Sequence, residues 1–157
     1  MHQILILAFA LFLPLASAQA QPEPPAARII EQKPWQDHGD YRVLISHFNS
    51  DFLQPATASA LGLTRAANQA IINIAVTRKG ADGYYSLGLP AQVWGHSVNL
   101  MQQQKTLDFV EVAEQTATYY LAPVRITNEE VLHFSLTVQI DDVSLPITFT
   151  RTFYVSD

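Results

Sequence analysis

Cysteine is absent from all 157 residues. That gap excludes disulfides, thiolate zinc sites, a cysteine nucleophile and a lipid-bearing cysteine behind a signal sequence. Charge is absent from the first twenty residues, MHQILILAFALFLPLASAQA, so the net charge of −5 belongs wholly to residues 21–157. The unbroken apolar run at residues 4–13 is about half the length a membrane-spanning helix needs. No basic run or stripe appears, which removes the electrostatic footprint of a nucleic-acid binder. There is no G-x-S-x-G elbow, phosphate-cradling loop or dinucleotide fingerprint, so no cofactor is implied.

What is present begins with a leader. Residues 1–20 read as a cleaved signal peptide, although the n-region carries only His2 and the α-amino group. Pro14 closes the apolar run. Ala16-Ser17-Ala18 fits the small-x-small rule for cleavage, and Ala18-Gln19-Ala20 is a second candidate. Export places the remainder in the periplasm with no stable membrane span. Residues 21–27, QPEPPAA, form a Pro-rich spacer. Residues 28–157 read as one domain. Without disulfides it relies on its core, and a chain of this size buries roughly two thirds of its unfolded surface.

The domain has period-two segments. Tyr41, Val43 and Ile45 share a face, as do Ala70, Ile72, Ile74 and Val76. Leu132, Phe134, Leu136, Val138 and Ile140 oppose His133, Ser135, Thr137 and Gln139, as expected of a sheet with one wet face. Ile147, Phe149, Phe153 and Val155 point inward from a last strand. Weaker strands fall at 93–101, 107–112 and 117–126, and Pro123 marks the last of these as an edge or a bulge. Turn signals such as Asp37-His38-Gly39-Asp40 separate the strands and suit antiparallel hairpins. The expected fold is all-β, an antiparallel immunoglobulin-like β-sandwich, with a small barrel as the alternative.

The segment FNSDFLQPATASALGLTR interrupts this pattern. Pro55 suits the first position of a helix, Ala56 to Leu61 continue it, and Gly62 stops it. About two turns do not persist alone in water, so the helix must dock. It is expected to plug an open end of the sandwich, gripped by Phe52, Leu53, Leu61 and Leu63.

The stretches HFNSDFLQP, LGLTR, IINIAV, YYLAPVRITNEEVLHF and TFYV together resemble a family of short exported proteobacterial proteins known as a domain of unknown function. The resemblance covers most of residues 41–155. The chain departs from the pattern at Leu61, where an aromatic is expected, and at Ala70, where Gly is expected. The resemblance implies a periplasmic immunoglobulin-like sandwich and brings no catalytic residues with it.

Two polar groups stand out. Asn49-Ser50-Asp51 has the composition of an Asx-type turn, and Arg65 lies just past the helix, so Asp51 and Arg65 are placed to pair or to face a ligand. Arg125, Asn128, Glu129, Glu130 and His133 bracket one hairpin with groups suited to anion binding or acid–base work. The candidate contact residues are therefore Asn49, Asp51, Arg65, Arg125, Glu129 and His133. No catalytic residue is assigned. His38, His47, His96 and His133 lack metal-binding spacing, so no metal is expected, and His47 reads as a core histidine. Ser46 and Ser50 lack the context of a triad. Arg151 falls on an inward position, where it needs a partner such as Glu111 or Glu114, or else snorkels out.

Three functions compete. The first is a non-enzymatic binding or accessory module that meets a periplasmic protein partner through a sheet edge or the corner from Asn49 to Arg65. The second is a small-ligand or glycan binder, which requires exposed aromatics such as Trp94. The third is a hydrolase-type enzyme, which requires Asp51, Glu129 and His133 to converge.

Overall fold

Nine strands form among the described residues, and alternating apolar and polar residues make the longer ones. The computed structural model describes residues 33–156. The signal peptide, the spacer and the first residues assigned to the domain lie outside them. The strands are β1 (Trp35–His38), β2 (Tyr41–Asn49), β3 (Gln69–Arg78), β4 (Gln92–Asn99), β5 (Gln104–Thr106), β6 (Val110–Ala113), β7 (Thr118–Arg125), β8 (Glu130–Ile140) and β9 (Val143–Phe153). A 3-10 turn (Ser50–Phe52) and one helix, α1 (Pro55–Ala60), lie between β2 and β3.

Every strand pairing is antiparallel. The first sheet runs β1-β2-β3-β7-β6 and the second β5-β4-β8-β9. Setting β1 aside, these orders match A-B-E-D and C′-C-F-G of immunoglobulin-type sandwiches. The sheets face each other across one core. Val43, Ile45, Ile72, Ile74 and Val76 meet Leu132, Phe134, Leu136, Val138 and Ile147. Phe134 stacks on Phe149 at 4.6 Å and meets Phe153 edge-on at 6.0 Å. The buried Tyr120 hydroxyl accepts the Ala91 N–H at 2.6 Å and donates to the Ala91 carbonyl at 2.7 Å. A buried hydroxyl needs such partners.

The expected strands are present, with shifted ends. Residues 107–109 cross from β5 to β6 instead of forming strand, and Leu107 is buried there. The Pro123 expectation holds locally. Strand β6 pairs only with residues 118–121 of β7, so Pro123 sits where that side of β7 has no neighbour. Two strands are additions to the sequence reading: polar β1 and fully exposed β5.

The helix forms for the reasons expected. Pro55 occupies its first turn, and Gly62 adopts φ 65° beyond its end. Leu63 N–H donates to Ala58 at 2.8 Å and Gly62 N–H to Ser59 at 3.2 Å, the paired bonds of a Schellman stop. The helix does lie at the end of the sandwich where β2 finishes. What it covers differs from expectation. Leu63 joins Ile71 and Leu121 in a second small core, with Leu53, Leu61, Phe48 and Val110 around it. Ile71 and Leu121 point away from the main core, so the segment roofs the outer face of the first sheet and does not plug the gap between sheets. Phe52 contributes nothing to this grip and is 77% exposed.

Candidate functional site

Strands β2, β4, β7 and β9 finish, and β3 and β8 begin, at one end of the sandwich. The antiparallel registers dictate this: Asn49 opposes Ala70, Gln69 opposes Arg125, and Glu130 opposes Phe153. The loops there carry most of the expected site residues.

Asn49, Asp51 and Arg65 come together, but as structural ties. Asn49 Nδ2 donates to the Tyr154 carbonyl at 3.1 Å and to Ser156 Oγ at 2.7 Å. Arg65 donates to the backbone carbonyl of Asp51 at 2.7 Å, not to its carboxylate. Between them, fully buried Ser50 accepts the Ala66 N–H at 2.9 Å and donates to the Ala66 carbonyl at 3.1 Å. Asp51 Oδ1 is buried with no hydrogen-bond partner among the described residues.

The second group divides. Arg125 and Glu130 line a narrow cleft with Lys105 and Asn99, between the sheet ends. Glu130 Oε2 accepts the Thr127 N–H at 2.7 Å and the Thr127 hydroxyl at 3.1 Å, closing the turn. Asn128 Oδ1 accepts the Val155 N–H at 3.3 Å. Glu129 is exposed, adopts φ 56° and borders a cleft of about 190 Å³ with Leu100 and Met101. His133 lies elsewhere, on the outer face of the second sheet, where Nδ1 shares a hydrogen bond with Thr150 Oγ1 at 2.7 Å. Asp51, Glu129 and His133 thus stand on the roof of one sheet, a turn, and the outer face of the other sheet. They do not converge. Among the described residues, no three His, Asp or Glu side chains gather as for a metal.

The most distinctive property of this end rests on four side chains that no sequence motif marks. Phe52, Leu100, Met101 and Tyr154 are 77%, 68%, 74% and 58% exposed. Their loops are tied down. Asn99 Oδ1 accepts the Met101 N–H at 3.0 Å and the Gln103 N–H at 2.9 Å, while Asn99 Nδ2 donates to Gln103 Oε1 at 2.8 Å. The signal was an apolar pair beside Asn in NLMQQQ, at the tip of a hairpin where polar residues are usual.

A family model matches residues 35–156, over nearly all of the described chain. The chain belongs to the DUF4426 family. That family is described as a domain of unknown function. This DUF4426 chain is similar to a crystal structure of a DUF4426 family protein from Pseudomonas aeruginosa, at 32% identity and a TM-score of 0.68, covering 78% of this chain and 95% of that one. It shares a fold with FetP from a uropathogenic E. coli strain, at 7% identity and a TM-score of 0.54, covering 78% and 94%. No curated protein matches it.

Two further charged clusters lie on the DUF4426 domain, one beside the corner and one toward the opposite end. His47 sits at the rim instead of the core. Its ring meets Phe153 edge-on at 5.2 Å, and desolvation with the nearby Arg151 charge holds its pKa below the ordinary value. Arg151 is half-buried, donates to the Thr150 carbonyl at 2.9 Å and lies over the Phe149 ring at 5.6 Å, and burial lowers its pKa. Its suggested partners are occupied on another edge: Glu111 and Glu114 bond the hydroxyls of Tyr120 and Tyr119 at 3.1 and 2.9 Å. Toward the opposite end, Arg42 lies between the rings of Tyr85 at 4.3 Å and Trp35 at 4.9 Å, and donates twice to Asp37 at 2.6 and 3.0 Å. That hydrogen bonding holds the Asp37 carboxyl below its usual range.

Proposed function

We propose that this DUF4426 protein is an exported, periplasmic, non-enzymatic binding module whose protein partner docks on the loop end of the sandwich. The signal at 1–20, the spacer at 21–27 and a single domain over 28–157 are part of this proposal. One observation carries it: four large apolar side chains, Phe52, Leu100, Met101 and Tyr154, project from separate, tied loops at one end. Water-exposed apolar clusters on a small domain mark interaction sites. Arg65 bonds the turn that carries Phe52, Glu129 borders a cleft with Leu100 and Met101, and Arg125 lines the neighbouring cleft with Asn99. Charges of both signs beside an apolar site orient a protein partner.

The sheet edges are weaker candidates. Strand β9 is the long edge, and Pro146 cannot donate from it. Gln36 Nε2 from β1 donates to its Thr148 carbonyl at 2.5 Å. The other edge strands have only three or four residues. A hydrolase has no support from Asp51, Glu129 and His133, which lie apart.

The test places a photo-crosslinking amino acid at position 52 or 101, and at Asp82 on the opposite end as control, in intact cells. One discrete adduct from 52 and 101, absent from 82 and weakened by Arg125→Ala, is the expected result. Adducts independent of position, or none, overturn the proposal.

A further inference from the structure

We infer that the outer face of the second sheet is a docking surface for a neutral oligosaccharide, with Trp94 as its stacking platform. This surface is separate from the proposed protein-binding end and stands on different observations.

The alternation that sends Leu132, Phe134 and Leu136 into the core sends His133, Ser135 and Thr137 outward. On β9 the same alternation turns Thr148, Thr150 and Thr152 outward, about 6.8 Å apart along the strand. On β4 it turns out Trp94 and His96. None of these side chains is buried, and Trp94 is 48% exposed.

Among the described residues, no Lys, Arg, Asp or Glu stands on the outward positions of this sheet. The chain carries nine Lys or Arg and fourteen Asp or Glu. Not one occupies an outward position on β4, β8 or β9; Lys105, Glu130 and Arg151 all fall on the inward alternation. An uncharged ligand therefore suits this face better than an ionic one, which would lose hydration with no counter-charge to meet it. An anionic polymer or lipid surface finds no cation to neutralise it.

A protein partner fits poorly too. Protein interfaces centre on a cluster of apolar or Arg anchors. Here Trp94 is the one exposed aromatic side chain among the described residues of the face, set among hydroxyls and imidazoles, with Val98, Val131 and Pro146 as smaller apolar neighbours on the same alternation. His133 and Thr150 already bond one another, while Ser135, Thr137, Thr148 and Thr152 carry hydroxyls that both donate and accept hydrogen bonds. An oligosaccharide offers the same mixed hydroxyls, and the C–H face of a pyranose ring suits a half-exposed indole, which is apolar in body and polar at its edge. The side chains stand on a sheet, so they are fixed before any ligand arrives.

The test is tryptophan fluorescence of the full domain titrated with cellohexaose and chitohexaose, with polygalacturonate as the charged comparison. The chain has two tryptophans, and Trp35→Phe isolates the signal of Trp94. A saturable change with a neutral hexasaccharide is expected in the Trp35→Phe variant. Trp94→Ala should abolish binding measured by calorimetry, and Thr148→Glu should weaken it about tenfold or more. Should Trp94→Ala unfold, Trp94→Phe with retained partial binding and Thr148→Glu carry the same decision. No response to either neutral probe, or a response that survives Trp94→Ala, overturns the inference. So does preference for polygalacturonate. A dimer in light scattering that Ser135→Lys dissolves also overturns it, because the face would then belong to a second copy. None of these outcomes touches the crosslinks from positions 52 and 101.

Discussion

Gly95 shows how one missing methyl shapes the second sheet. It adopts φ 154°, and a Cβ there would lie 2.2 Å from the Ser135 carbonyl oxygen and 2.7 Å from Leu136 Cα. Neither neighbour is the tip of a flexible side chain, so strand β4 would have to move off β8. Gly95→Ala is expected to lower unfolding free energy by roughly 2–4 kcal/mol, read from urea denaturation at pH 7. At the rim, His47 links stability to pH. Folding depresses its pKa below the ordinary 6.5, so the unfolded chain takes the proton more readily. The neutral ring's contribution is complete above pH 6.5 and is lost as pH falls through that value toward the native pKa. The urea midpoint of wild type should therefore drop between pH 7.5 and 5 more than that of His47→Gln. An equal drop in both excludes His47 as the source. Residue types alone marked Asn49, Asp51 and Arg65 as neighbours, since they flank one short helix. They could not say that Arg65 would choose a carbonyl over a carboxylate, because that depends on the φ and ψ of the turn.

At the scale of elements, the helix was legible and its docking surface was not. Pro55, the alanines and Gly62 fix start, body and stop. The roofed surface was hidden because period-two reading keeps the stronger face of a strand and discards the other. Yet IINIAV has apolar residues on both faces at Ile71 and Ile72, and YYLAPV does so at Leu121 and Ala122. Apolar outward positions on two adjacent strands require a cover. Leu63→Ala is expected to cost about 2–4 kcal/mol, as for a buried leucine in a small core, while Phe52→Ser changes stability by about 0.5 kcal/mol or less. Thermal denaturation of both variants checks the pair. Strand parity also explains the division of the second polar group. Glu130 and His133 are three apart, an odd number, so one strand sends them to opposite faces. Strands β1 and β5 escaped the sequence reading because QKT and WQDH lack any apolar alternation to recognise.

For the whole molecule, the two-sheet arrangement was legible in β8 and β9, whose alternation is clean from Leu132 to Ile140 and from Leu145 to Phe149. The closure of the sandwich was not. On one side the chain itself crosses between sheets at residues 107–109. On the other, the Gln36 side chain reaches the Thr148 carbonyl. Such a link joins residues that are distant in sequence and carries no local signal. It also occupies one of the carbonyls that strand addition at the long edge would use. Gln36→Ala is expected to leave the melting temperature within a few degrees but to raise the rate of aggregation in light scattering near the transition. Unchanged aggregation excludes Gln36 as a guard of that edge.

The hairpin tip held by Asn99 has one more effect. Two main-chain amides and a neighbouring amide side chain already lock Leu100 and Met101 into their presented shape. A loop that is rigid beforehand forfeits little motion on capture, so more of the apolar gain remains as affinity. The domain in this sense resembles a key cut in advance, and its selectivity rests with whatever recess matches those two teeth.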